Sequence, residues 1–254
     1  MMTMSNSSAP RDRLIFALDV GGDLAEALSW VDRLWDHVGL FKVGKESFVR
    51  YGTDIVRQIQ ARGGKVFLDL KFHDIPNTVV RAAEAACELG VAMFNLHALG
   101  GMKMMSETAD AVRKHAERSG NPPPVLLAVT VLTSLNDGDL KLLGFGRGTR
   151  ETALHLARLA QEAGLSGVVA SAEDAGAIRK ACGGEFLIVT PGIRAAGEVA
   201  GDDQKRIVTP SIAISAGSDY LVVGRPISKA ADPALAADAM VEEIARGIAQ
   251  VQRG

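Results

Sequence analysis

The sequence predicts an α/β fold, a single (β/α)8 TIM barrel, from three observations. Eight short apolar runs rich in β-branched residues recur along 254 residues, and stretches of helical periodicity separate them. The runs are nearly continuous in apolar character, as parallel strands covered on both faces should be. No Pro/Gly/Ser-rich linker divides the chain, and no dinucleotide fingerprint points to an open doubly wound sheet.

The first run is LIFALDV (14–20), followed by Leu24, Leu28, Val31 and Leu34 at helical spacing. LFKVG (40–44), KVFLDLK (65–71) and AMFNLHAL (92–99) come next, then VLLAVTVL (125–132), GVVAS (167–171), FLIVTPGI (186–193) and YLVVGRPI (220–227). Leu154, Leu156, Leu159 and Ala160 mark a helix between the fifth and sixth runs, and Met102, Met104 and Met105 read as helix packing. The glycine-rich GFGRGTR (144–150) has the wrong spacing for a cofactor cradle and follows no strand, so it reads as a loop. Two connections are long, Ser134 to Arg150 and Arg194 to Val208, as active-site lids often are. The boundaries that follow are a flexible N-terminal segment over 1–12 and a barrel over 13–254.

Hydrophobic residues make up 47% of the chain and charged residues 23%, ordinary proportions for a globular protein. Net charge is −2 and no Lys/Arg cluster interleaves with aromatics, so nucleic-acid binding has little electrostatic basis. The polar N-terminus lacks the apolar middle of a signal peptide, and no apolar run is long enough to cross a bilayer. The expected location is the cytoplasm, with no membrane partner. Cys87 and Cys182 fall in helical segments without metal-ligand spacing and read as structural thiols.

The charges in VFLDLKFHDIPNTV (66–79) carry the functional signal. Side chains alternate along a strand, so Asp69 and Lys71 share one face while Leu68, Leu70 and Phe72 share the other. The apolar set suits the helix layer, which turns Asp69 and Lys71 toward the barrel mouth. An isolated charge there is costly, so a structural salt bridge is one reading. Catalysis is the other, because barrel enzymes place their chemistry at the C-terminal ends of strands. Asp19 in FALDV and Lys42 in FKVG also read as strand-end ions, so that Asp19, Lys42, Asp69 and Lys71 would form an alternating array. His97 fits a satisfied core histidine better than a catalytic one, and His73 falls on the opposite parity from Lys71.

DLKFHDIPNT resembles the Asp-x-Lys-x-x-Asp-Ile-x-x-Thr motif of the orotidine 5′-phosphate decarboxylase family. FALDV, FKVG, AVTVLTS, VTPGIR, DDQKR and VVGRP resemble further landmarks of that family in the same order. The resemblance implies a lyase of UMP biosynthesis that converts orotidine 5′-phosphate to UMP and CO2 with no metal, flavin or pyridoxal cofactor. It implies that Lys71 stabilises the carbanion at C6 and protonates it, with Asp69, Asp74 and Lys42 completing the catalytic set. Flanking carboxylates favour the charged ammonium, and desolvation opposes them.

The same resemblance implies a homodimer in which Asp74, Ile75 and Thr78 reach the partner's site. It assigns the ribose to Asp19 and Lys42, the pyrimidine to Thr133, and the phosphate side to Pro191, Arg194, Gln204, Gly224 and Arg225. Gly224 and Arg225 follow the eighth run, where barrels bind phosphate. Extended backbone would put Asp69 and Asp74 about 17 Å apart, and a bend would change that.

Two other readings use the same residues. A related barrel, a lyase or aldolase, holds Mg²⁺ on Asp-x-Lys-x-x-Asp and acts on a sugar phosphate, although Lys42 and Lys71 would crowd that cation. A non-catalytic phosphate-binding barrel would need Gly224 and Arg225 but would gain nothing from Lys71.

Overall fold

The computed structural model describes residues 9–194 and 208–253. A 3-10 turn at Pro10–Arg13 leads into β1 (Leu14–Ala17), α1 (Leu24–Leu34), β2 (Leu40–Gly44), α2 (Lys45–Tyr51) and α3 (Asp54–Ala61). Next come β3 (Val66–Phe72), α4 (Pro76–Glu88), β4 (Met93–His97), α5 (Gly101–Ser119) and β5 (Val125–Val129). The sequence continues through α6 (Asp137–Leu142), α7 (Thr149–Glu162), β6 (Gly167–Val169), α8 (Ala172–Cys182) and β7 (Leu187–Pro191). It ends with α9 (Pro210–Ser215), β8 (Tyr220–Val223), α10 (Arg225–Ser228) and α11 (Pro233–Val251). The strands follow chain order around a closed barrel, the (β/α)8 topology that the sequence predicts.

The described residues divide into two compact units, 9–67 with 190–194 and 208–253, and 68–189. In the first, β1 lies between β2 and β8 in parallel register, with Ile15 opposite both Leu40 and Val222. Phe16 and Phe41 are fully buried and meet edge to face, with centroids 6.4 Å apart. Each such side chain contributes about 1.5–3 kcal/mol through the apolar area removed from water. The Asp23 carboxylate caps α1 by accepting from the Glu26 N–H at 2.8 Å.

In the second unit β4, β5 and β6 pair in parallel, with Asn95 opposite Leu127 and Leu127 opposite Gly167. Gly167 is required by contact: a Cβ there would lie 2.2 Å from the Leu187 carbonyl oxygen. The connection after β5 is not all loop, since α6 forms within it, nucleated by a reciprocal cap between Asn136 and Asp139. Asp137 then ties α6 to α7 by accepting from the Thr149 N–H at 2.7 Å and its hydroxyl at 2.8 Å. Those two bonds lower the Asp137 pKa. GFGRGTR falls in the link between these helices and the first turn of α7.

A cavity of about 80 Å³ sits beneath α6, walled by Leu132, Leu135, Leu140, Leu143, Phe145 and Leu156. Thr152 also lines it, and its hydroxyl is buried without a hydrogen-bond partner among the described residues. Among the described residues no helix is long and apolar enough to cross a membrane.

Candidate active site

The first unit contributes a partly buried ion pair. Asp19 lies two residues beyond β1, and Lys42 is the third residue of β2 rather than its last. Lys42 Nζ donates to Asp19 Oδ2 at 2.7 Å, with the lysine side chain only 10% exposed. Two bonds from α2 hold the Asp19 loop in place. The Ser47 hydroxyl donates to the Leu18 carbonyl at 2.6 Å, and the Tyr51 hydroxyl to the Gly22 carbonyl at 2.7 Å. Gly44 leaves room for the pair as it stands, because a Cβ at that position would stand 2.6 Å from Asp19 Oδ1 and 2.9 Å from Lys42 Nζ and one of them would have to shift.

Gly224 ends β8 and passes the chain into the four-residue α10, whose first residue is the exposed Arg225. A Cβ at Gly224 would make only ordinary contact with Ala17. The small size of Gly224 therefore answers no crowding among the described residues. Pro191 closes β7, and the Arg194 N–H donates to the Val208 carbonyl at 3.2 Å, joining the two ends of the connection after β7. Gln204 lies outside the described residues. The Thr190 and Ser218 hydroxyls share a buried hydrogen bond of 2.7 Å.

The second unit holds the motif. Lys71 Nζ donates to Asp69 Oδ1 at 2.5 Å, and both side chains are largely buried. Lys71 sits at φ 52°, in the left-handed region, and among the described residues it is the one non-glycine residue with positive φ. Such a conformation in a long side-chain residue is strained and tends to persist where function demands it. Asn95 of β4 spans the pair. Its Nδ2 donates to Asp69 Oδ1 at 2.7 Å, and its Oδ1 accepts from the Lys71 backbone N–H at 2.8 Å.

The strand ends at Phe72 and the chain bends at Asp74, so the segment does not run extended to the second carboxylate. Asp74 does not pair with Lys71 within this chain. Its Oδ1 accepts from the Ile75 N–H at 2.6 Å, and the residue is exposed. Within the described residues, Asp69 is the carboxylate that pairs with Lys71. Ile75 is 67% exposed at the N-cap of α4, and Thr78 is exposed in its first turn. Thr133 is exposed beyond β5.

His73 and His97 stack with centroids 5.4 Å apart, and His97 Nδ1 accepts from the Leu99 N–H. The sequence reading missed Asn95 and the spatial role of Gly44. An amide inside the apolar run MFNLH was the available signal, since a buried amide requires partners.

These features define a (β/α)8 barrel of the enzymatic kind, with Asp–Lys pairs at the C-terminal side of its early strands. The chain belongs to the Orotidine 5′-phosphate decarboxylase / HUMPS family, whose model matches residues 12–240. It is 63% identical over 246 residues to the orotidine 5′-phosphate decarboxylase of Syntrophus aciditrophicus, covering 97% of this chain and 98% of that one. It is 55% identical over 238 residues to the same enzyme of Syntrophotalea carbinolica, covering 94% of this chain and 97% of that one. Among solved structures, the orotidine 5′-phosphate decarboxylase of Lactobacillus acidophilus superposes with a TM-score of 0.80 at 37% identity, covering 91% of this chain and 98% of that one.

Proposed function

We propose that this chain decarboxylates orotidine 5′-phosphate to UMP and CO2 in pyrimidine biosynthesis, through a single barrel domain spanning 13–254. The carrying observation is the Lys71 ammonium held on Asp69 at 2.5 Å, on a backbone that adopts a left-handed conformation to present it. In the reaction the C6–carboxylate bond breaks, its electron pair stays on C6, and CO2 leaves. Lys71 stabilises that pair and transfers one ammonium proton to C6, and solvent then reprotonates the amine. Asp69 would stand near the substrate carboxylate, where two unit charges about 4 Å apart repel by about 4 kcal/mol at an effective dielectric of 20. Loss of CO2 relieves that repulsion. Enzymes reach about 23 kcal/mol of barrier reduction, so stabilising the carbanion must supply the larger share.

Asp19 and Lys42 bind the ribose hydroxyls in this reading, and Thr133 meets the pyrimidine. Pro191, Arg194, Gln204, Gly224 and Arg225 surround the phosphate, whose binding helps organise the reacting end. The protein works in the cytoplasm as a homodimer. The exposure of Asp74, Ile75 and Thr78 at the start of α4 supports their reaching a partner's site, and Asp74 would supply there the second carboxylate that Lys71 lacks within one chain. The test is loss of ultraviolet absorbance on incubation with orotidine 5′-phosphate, with UMP and CO2 as products. Unchanged absorbance with intact, folded protein would refute the reading.

The Mg²⁺-dependent sugar-phosphate reading is disfavoured by charge, since Lys71 Nζ and Asn95 Nδ2 both donate to the Asp69 oxygen that a cation would need. Full activity in EDTA supports the decarboxylase, and loss of activity restored by Mg²⁺ supports the rival. A purely phosphate-binding barrel would bind UMP without turning over the carboxylated nucleotide.

A further inference from the structure

We propose that Asn95 is a positioning residue of this site, acting on Asp69 and Lys71 at once through the two ends of one carboxamide. The proposal rests on the decarboxylase reading above and adds a residue to it. Asn95 is fully buried between Phe94 and Leu96 on β4, a position where a polar side chain is tolerated only if its hydrogen bonds are made. Its partners also fix which way the amide faces. The Lys71 N–H can only donate, so the atom facing it is the oxygen, and the ionised Asp69 carboxylate can only accept, so the atom facing it is the nitrogen.

Each bond has its own consequence. A left-handed residue at the end of a strand turns its N–H away from regular ladder geometry, and Asn95 Oδ1 receives that N–H at 2.8 Å. The bond stabilises the backbone conformation that sets the direction of the Lys71 side chain. On the other side, Nδ2 and Lys71 Nζ donate to the same Oδ1 of Asp69, at 2.7 and 2.5 Å. Rotation of the carboxylate would break both bonds, so Asp69 is held oriented on the ammonium. One amide thus couples the backbone of the proton donor to the carboxylate that holds its side chain.

Substituting Asn95 therefore alters catalysis more than binding. Asn95→Ala is expected to lower kcat by about 10- to 100-fold while UMP affinity stays within about 3-fold of wild type. Asn95→Asp keeps the shape and the acceptor for the Lys71 N–H but loses the donor to Asp69 when ionised. The charged group bonded to this position is Asp69, which also holds the Lys71 ammonium, and His97 lies two residues further along β4. When residue 95 is a protonated carboxylic acid, its O–H restores the missing donor, so kcat of Asn95→Asp relative to wild type should rise several-fold from about pH 8 to about pH 6.

The experiment measures kcat, KM, UMP affinity and thermal midpoint for wild type and both variants across that pH range. A kcat loss with retained UMP affinity, together with acid rescue of Asn95→Asp, supports the proposal. A kcat of Asn95→Ala within about 3-fold of wild type would overturn it, as would an Asn95→Asp profile parallel to wild type. If Asn95→Ala does not fold, the shape-preserving Asn95→Asp alone decides through its pH profile. A wild-type chain that releases no CO2 overturns the decarboxylase reading and this proposal with it, whereas an active wild type with indifferent variants overturns the proposal alone.

Discussion

Lys71 Nζ donates to Asp69 Oδ1 across 2.5 Å, although the two residues are near neighbours on one strand. Side chains two apart on a regular strand stand side by side on the same face. The left-handed backbone at Lys71 ends that regularity, so the ammonium's direction is set by its backbone and by what fastens it. The strand then runs one residue further, to Phe72, and the chain bends at Asp74.

Gly44 tests whether the second Asp–Lys pair serves ligand binding. In Gly44→Ala the new methyl would displace the pair formed by Asp19 and Lys42, because it would lie 2.6 Å from one and 2.9 Å from the other. Misplacing positioning groups by a fraction of an ångström to one ångström lowers kcat/KM by on the order of 10- to 100-fold. Steady-state kinetics beside a melting curve checks this, and unchanged kcat/KM would separate the pair from substrate binding.

Thr152 carries a stability prediction. The residue lines a largely apolar cavity, and its buried hydroxyl has no partner among the described residues. Thr152→Val removes the polar atom at constant shape and should stabilise the protein by about 1–2 kcal/mol. The melting midpoint would rise by about 2–8 °C in a chain of this size. A lower midpoint would show that the hydroxyl finds a partner in solution.

Cys87 gives the pH dependence. Burial in α4, reinforced by Glu84 and Glu88, pushes its pKa up to about 11 from 9.0. At pH 8 its thiolate population, and with it the iodoacetamide rate, should be about 100-fold below that of an unperturbed thiol. Because the folded pKa exceeds the unfolded one, this group's contribution to stability is present below pH 9.0 and is lost as pH rises toward about 11. A thiol titrating near 9 in the folded protein would contradict the burial.

A shared active site predicts complementation. Lys71→Ala and Asp74→Ala homodimers should each be nearly inactive. Mixed dimers would contain one site with both wild-type residues, so unfolding and refolding a mixture of the two variants should restore activity. Sites complete within one chain would show no such gain.

Much of the fold was legible because parallel strands covered on both faces must be apolar throughout, which marks all eight without regard to neighbours. Strand ends were less legible. VLLAVTVL reads as one run to 132, but β5 stops at Val129, and Val131 and Leu132 face the cavity instead of extending the sheet. The connection that follows reads as a loop, but Asn136 and Asp139 begin a helix in it, a capping pair recognisable by its spacing. Asp69 and Lys71 were visible because charges stand out in an apolar run. Asn95 was not, since its importance lies in partners 24 and 26 residues earlier that only the folded chain supplies. Gly44 likewise matters through the side chains that crowd it.

The most direct measurement follows orotidine 5′-phosphate in D2O with wild type and Lys71→Ala, reading CO2 release, deuterium at C6 of UMP, and UMP affinity. The account predicts that wild type forms C6-deuterated UMP, and that Lys71→Ala still binds UMP while kcat falls by about 10²- to 10⁴-fold or more, the range for loss of a general acid. Decarboxylation by Lys71→Ala at the wild-type rate would contradict it.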